Sequence, residues 1–252
     1  MHKKNAIRCL ILALILVLLV GSLAFAGTDD ILRRWQKERT FKNDLGSDLT
    51  IKVTYFSTEY IEALVNSEAE KNLWTADEME NYKYELLKTL RLDEYIPIHV
   101  EIDNRGPSMH MAPFDRQITL WLDGDKYSPA DYDKRFNFKL TEKRDGFVFF
   151  PRFDEKTGKS LLEDVKRAKV SLKGSISSTT DGIPYIDYLW DIYKDDPTRL
   201  YSGKAAAQLE IDRLIKRLEK LMAEKNKLEA QLSEVQSEVD MVNQRIEELR
   251  KQ

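Results

Sequence analysis

The sequence predicts an α+β protein: a mainly β sandwich with a helical insertion, followed by a long C-terminal coiled-coil helix. Three observations carry that expectation. Short segments between residues 31 and 196 alternate apolar and polar residues with period two, the pattern of strands with one buried face. A capping signature opens a helix-spaced stretch among them. From Ile211 onward, core positions recur every three or four residues without a slip, and all but Lys225 are aliphatic. The chain has 252 residues, 42% apolar and 33% charged, enough core formers to exclude wholesale disorder. Its 40 basic and 43 acidic residues leave a formal charge of -3, so it lacks the electrostatic footprint of a nucleic-acid binder.

The first element is an address. Residues 1–8 include Lys3, Lys4 and Arg8, and residues 9–26 carry no charge, a basic start followed by an apolar run. Gly21 and Ser22 break the run, and Ala24-Phe25-Ala26 supplies the small-x-small pattern of a signal-peptidase site. Residues 1–26 are therefore expected to be a signal peptide of the bacterial Sec type, with a mature chain that starts at Gly27 in the periplasm or outside the cell. An uncleaved leader would be a membrane anchor, because its uncharged run reaches the lower end of the roughly 20 residues that span a bilayer. Cys9, the only cysteine, sits at the wrong end of that run to be a lipidation site. Cleavage removes three bases and no acid, which takes the formal charge from -3 to -6, and it leaves no thiol for disulfides, zinc or nucleophilic chemistry.

Residues 27–196 form the expected sandwich domain. Leu49, Ile51, Val53 and Tyr55 make the first alternating set. Ile96, Ile98, Val100 and Ile102 make the second, opposed by Pro97, His99, Glu101 and Asp103, and the proline suggests an edge strand or a strand start. Further strands are expected at Ile118 to Leu122, Phe136 to Leu140, Phe147 to Phe150, Val170 to Leu172 and Ile186 to Ile192. Asp123-Gly124, Asp145-Gly146, Thr157-Gly158 and Asp181-Gly182 are turn signals between them. The helical insertion spans residues 58–91. Its first helix has Tyr60, Ile61, Leu64 and Val65 as buried stripe. The second opens on the capping box Thr75/Glu78 and carries Met79, Tyr82, Leu86 and Leu90 on the face expected to pack on the sheet.

Two stretches bring a resemblance. Val100-Glu101-Ile102-Asp103-Asn104, then Ile118 to Gly124 and Tyr127-Ser128-Pro129, resembles the early strands of immunoglobulin-like domains in exported bacterial proteins. Phe150-Pro151-Arg152-Phe153-Asp154 with Thr157-Gly158-Lys159 is similar to a segment of poorly characterised bacterial envelope proteins, many of them lipoproteins. The likeness covers about half of the domain and includes no catalytic motif. It implies an immunoglobulin-like sandwich and an envelope compartment, and fold alone does not give function. The absence of a usable lipobox cysteine sets this chain apart from the lipoproteins.

Residues 197–203, punctuated by Pro197 and Gly203, are an expected linker to a coiled coil over residues 204–252. Its a and d positions are Ile211, Leu214, Leu218, Leu221, Lys225, Leu228, Leu232, Val235, Val239, Val242, Ile246 and Leu249. A strict heptad repeat drifts around a straight helix and matches a supercoiled partner, so a homo-oligomer is expected. In a parallel dimer, Glu224 would meet Glu229, Arg245 would meet Arg250 and Lys225 its own copy, while Val235 and Val242 occupy d positions better suited to Leu. A homotrimer, a dimer and an antiparallel or mixed assembly all remain open. The tail carries ten basic and ten acidic residues, which leaves the negative charge on the body.

Candidate chemistry is sparse. His99, Glu101 and Asp103 share one strand face and offer a divalent-cation site. Met109, His110 and Met111 gather soft ligands suited to Cu(I). Asp123, Asp125, Asp131 and Asp133 lack the order of a calcium loop and are better explained as turn caps. Trp74, Trp121 and Trp190 are expected in or near the core. No nucleophile elbow, zincin pair, phosphate loop or dinucleotide fingerprint occurs. The expectation is therefore a noncatalytic, exported envelope interaction or scaffold protein with no cofactor, oligomerised through its tail, whose envelope protein partner is unidentified. The alternative is a periplasmic ligand-binding or metal-binding protein.

Overall fold

The computed structural model describes residues 27–250 except Leu45. The expected signal peptide, residues 1–26, lies outside the described residues. Two compact units divide the chain, one reaching Tyr201 and the other starting at Ser202.

Among the described residues of the first unit, a helical stretch, α1 (residues 27–35), precedes strands β1 (Gln36–Lys42) and β2 (Asp48–Tyr55). Helices α2 (Thr58–Asn72) and α3 (Ala76–Leu90) follow, so the helical insertion falls between the first two sequence-predicted strands. Then come β3 (Tyr95–Asn104), β4 (Ile118–Leu122), β5 (Asp125–Tyr127), β6 (Asp131–Tyr132), β7 (Lys143–Pro151), β8 (Arg167–Lys173) and β9 (Tyr185–Asp191). They pair antiparallel into a five-stranded sheet of order β1-β2-β3-β7-β6 and a four-stranded sheet of order β5-β4-β8-β9. The protein is thus α+β, with two antiparallel sheets and a long C-terminal helix.

Alternation explains how the sheets share one core. Ile51 and Val53 of β2, Ile98 and Val100 of β3, and Val148 of β7 are fully buried on one face of the larger sheet. Leu120, Val170 and Ile186 of the smaller sheet belong to the same apolar cluster. Polar pins cross it: the Tyr188 hydroxyl donates to the Ile51 carbonyl at 3.0 Å, and Trp190 Nε1 donates to the Trp35 carbonyl at 2.9 Å. Trp190 is buried, and Trp74 and Trp121 are half-buried. The capping box forms, with Thr75 Oγ1 accepting the Glu78 N–H and Glu78 accepting the Thr75 N–H at 2.7 Å.

Several expectations are corrected. Pro97 lies in β3, a central strand rather than an edge. β2 ends at Tyr55 opposite Ile98, so Pro97 has a strand partner, Phe149, only on the β7 side. The ring is tolerated because no ladder continues on the other flank. Phe136 to Leu140 is not a strand. Asp133 caps a 3-10 turn over Lys134–Asn137, which buries Phe136 stacked on Phe114 at 4.4 Å and leaves Phe138 64% exposed. Asp145-Gly146 is not a turn but lies inside β7, where a Cβ on Gly146 would stand 2.8 Å from that of Asp133. Glycine is there because the Asp133 side chain packs directly over it and leaves no room for a Cβ. In α3 the buried stripe is Tyr84, Leu87 and Leu90, while Met79, Tyr82 and Leu86 are only half-buried.

The second unit is one uninterrupted helix, α4 (Gly203–Arg250), of 48 residues. At about 1.5 Å per residue it is roughly 70 Å long. The segment before it is structured: Asp196 caps a 3-10 turn over Pro197–Leu200, and Leu200 is 1% exposed.

Candidate functional site

The most distinctive surface of the described residues is the α4 seam. Its eleven aliphatic a and d side chains, Ile211 to Leu249, are each between 43% and 69% exposed on the single chain. Ile215 and Met222, at e positions, widen the stripe. From residue 213 to residue 250 every residue is exposed. Soluble surfaces tolerate scattered apolar residues, but a contiguous exposed stripe of this length is unusual on them. Lys225, the one charged seam residue, reaches Glu229 on its own helix at 3.4 Å.

The outer face of the five-stranded sheet carries His99, Glu101 and Asp103. Lys52 Nζ and Lys143 Nζ approach Glu101 at 2.9 and 3.1 Å, and Arg105 approaches Asp103 at 3.4 Å. Burial would raise the Glu101 pKa, but its hydrogen bonds to Lys52 and Lys143 bring it below the usual carboxylate value. His99 Nε2 instead lies 3.2 Å from Asp145 of the neighbouring strand. The expected cation site therefore does not assemble. Its carboxylates are held by cations of the protein, and no group of three metal-ligating His, Cys, Asp or Glu occurs among the described residues. Beside it runs a half-buried aromatic row, Phe56, Phe147, Phe149 and Tyr95, with successive centroids 5.5 to 5.8 Å apart and the Arg91 guanidinium 4.2 Å above Tyr95.

The Met109-His110-Met111 expectation also changes. Met109 and Met111 are 2% and 0% exposed and belong to the shared core, whereas His110 is exposed. A bridge between Met109 and Leu140 sets this alternation, so the thioethers face inward and the imidazole outward. Met111→Ala should therefore cost about 2–5 kcal/mol of stability, and His110→Ala no more than about 0.5 kcal/mol, as read by urea denaturation. Equal, small effects would contradict the packing role.

Of the aspartates considered for calcium, Asp123 and Asp133 accept backbone N–H groups, and Asp131 pairs with Arg91 and Lys134. Asp123 accepts the N–H groups of Lys166 and Arg167, both at 2.9 Å, and those backbone bonds hold its pKa below the ordinary value. Asp133 is held low by the Arg135 side chain, 2.6 Å away.

One half-buried polar group escaped the sequence reading. Asp195 accepts the Thr58 N–H at 2.7 Å, at the start of α2, beside the Tyr55 hydroxyl. Burial raises its pKa above the ordinary value, although the Thr58 N–H opposes the shift. Burial, followed by the nearby Asp195 charge, keeps Tyr55 protonated throughout the ordinary pH range. A carboxyl whose folded pKa is raised contributes stability that is fully present below its unfolded pKa of about 3.9 and is lost as pH rises through the folded value. Asp195→Asn removes that loss. Its stability relative to the parent should therefore improve as the pH rises above about 4 in urea melts, and a constant difference would refute the assignment.

No known protein family matches the chain, and no curated protein matches it significantly. Among solved structures, a novel protein of unknown function from Burkholderia pseudomallei K96243 is similar, with 12% identity and a TM-score of 0.35 over 68% of this chain and 86% of that one. A likeness of that size carries no argument about fold or function. No helix among the described residues is long and apolar enough to cross a membrane.

Proposed function

We propose that the protein is a noncatalytic interaction or scaffold module of the bacterial envelope, exported by its leader, in which α4 assembles several copies of a partner-binding body. The observation that carries this reading is the exposed aliphatic seam. Joining copies through it raises weak body contacts to avidity without any new contact chemistry. The apolar run and Ala24-Phe25-Ala26 support export. The pairing of Glu101 with Lys52 and Lys143 supports a structural use of the outer-face charges. The half-buried aromatic row beside His99 is the body surface we assign to the protein partner, since aromatic and Arg side chains dominate such contacts. For the body we propose an immunoglobulin-like architecture at the level of two antiparallel sheets around one core. Pairing β2 with β3 in one sheet departs from the usual immunoglobulin order, where the second and third strands lie in different sheets.

The test is capture from envelope extracts by the immobilised parent and by a variant with Leu218→Asp and Leu228→Asp. The parent should retain a defined envelope protein at least about tenfold better than the variant. Equal retention would remove the scaffold reading.

A further inference from the structure

We propose that the α4 seam is covered by a second copy of α4 running antiparallel, in the register that sets Leu214 against Ile246 and Leu228 against Leu232. The inference rests on the assembly reading above and adds the partner's identity and direction.

The first argument is charge. Residues 204–228 carry seven basic and four acidic side chains, whereas residues 229–252 carry three basic and six acidic. The helix macrodipole favours the reverse, acids near the N-terminus and bases near the C-terminus, yet the first turn of α4 holds no acid. This polarity is unfavourable in a lone helix. An antiparallel copy offsets it by laying each basic half along an acidic half, whereas a parallel copy sets like on like.

The second argument is side-chain shape. Leucines dominate the seam up to Leu232, and Val235, Val239, Val242 and Ile246 dominate beyond it. Antiparallel pairing places a positions opposite d positions, so Leu218 meets Val242 and Leu221 meets Val239. Each such layer combines one long and one β-branched side chain, which keeps its volume even along the rod. A parallel pair would instead stack leucine layers at one end and valine layers at the other, with valine in the d positions that two-stranded parallel coils reserve for Leu. The proposed register leaves none of the twelve seam positions, Ile211 through Leu249, without a partner.

Lys225 supplies the third argument. In a parallel pair two ammonium groups share one core layer. In the antiparallel register Lys225 lies opposite Val235, and the two lysines are ten residues apart along the axis, about 15 Å at 1.5 Å per residue. The lysine stem then covers the valine while the ammonium stays in water, close to Glu229 of its own helix.

The sequence from Gly27 onward contains no cysteine, so introduced thiols give an unambiguous readout. Leu214→Cys and Ile246→Cys are made separately in the chain starting at Gly27, then oxidised alone and after mixing with subunit exchange. The mixture should yield a covalent dimer of the two variants, at least about tenfold more abundant than any self-linked product, and each variant alone should remain unlinked. Leu221→Cys with Val239→Cys repeats the test at a second layer should the first pair disturb packing. Self-linking of each variant alone would overturn the antiparallel register while preserving assembly. A failure to link at either layer, together with a one-chain mass, would overturn both this inference and the assembly reading.

Discussion

Replacing Leu218 and Leu228 by Asp is expected to return the protein to single chains and to melt much of α4 while the body stays folded. Both leucines are more than half exposed on the isolated chain, so neither contributes to the body's core. In the proposed assembly they become core, and each buried, unpaired carboxylate costs several kcal/mol. Two per chain are enough to dissociate a coil whose helices depend on tertiary packing more than on intrinsic propensity. Circular dichroism should show a loss of helical signal, with the cooperative unfolding of the body unchanged. An unaltered helical signal and mass would mean that the seam is not buried.

Phe136→Ala is expected to have the largest effect on the body. Phe136 is fully buried and stacked on Phe114, itself fully buried, so its truncation opens a cavity against a rigid aromatic neighbour. The usual cost is about 3–5 kcal/mol, a large share of the roughly 5–15 kcal/mol by which domains are stable. Phe138→Ala, two residues away and mostly exposed, should stay within about 0.5 kcal/mol. Urea midpoints of the two variants measure the contrast directly. Similar losses in both would favour the strand that alternation suggested over the 3-10 turn.

That contrast also shows where sequence patterns carried structural information and where they did not. Strands β2, β3, β4, β8 and β9 were legible because one face of each is buried, so burial wrote a period of two into the residues themselves. β1 was not. Its sequence, Gln-Lys-Glu-Arg-Thr-Phe-Lys, is that of a charged sheet edge, where polar residues guard against further pairing and little alternation survives. Phe136, Phe138 and Leu140 mimic alternation, but the Asp133 cap turns the chain between them. At Gly146 the turn chemistry misled because its cause is a close approach by Asp133, thirteen positions away.

The same division holds for the candidate sites. The long helix and its apolar stripe were legible, since a heptad is a local pattern and every position of it lies on one helix. The Asp195 site was not, because it depends on Thr58, 137 residues away, and nothing local distinguishes Asp195 from the capping Asp196 beside it. His99, Glu101 and Asp103 were correctly placed on one face, but the lysines that occupy Glu101 come from the neighbouring strands and carry no local signal. For Met109 and Met111, the same period-two logic applied to a single bridge would have sent both thioethers inward.

Sedimentation equilibrium is the most direct test of the central claim, that α4 exists to be covered by other copies of itself. It compares the chain from Gly27 with one that ends at Tyr201, where the first compact unit ends. The longer chain should sediment at twice its own mass and the shorter one as a single chain. A single-chain mass for both, at concentrations where coiled coils of this length are assembled, would contradict the account.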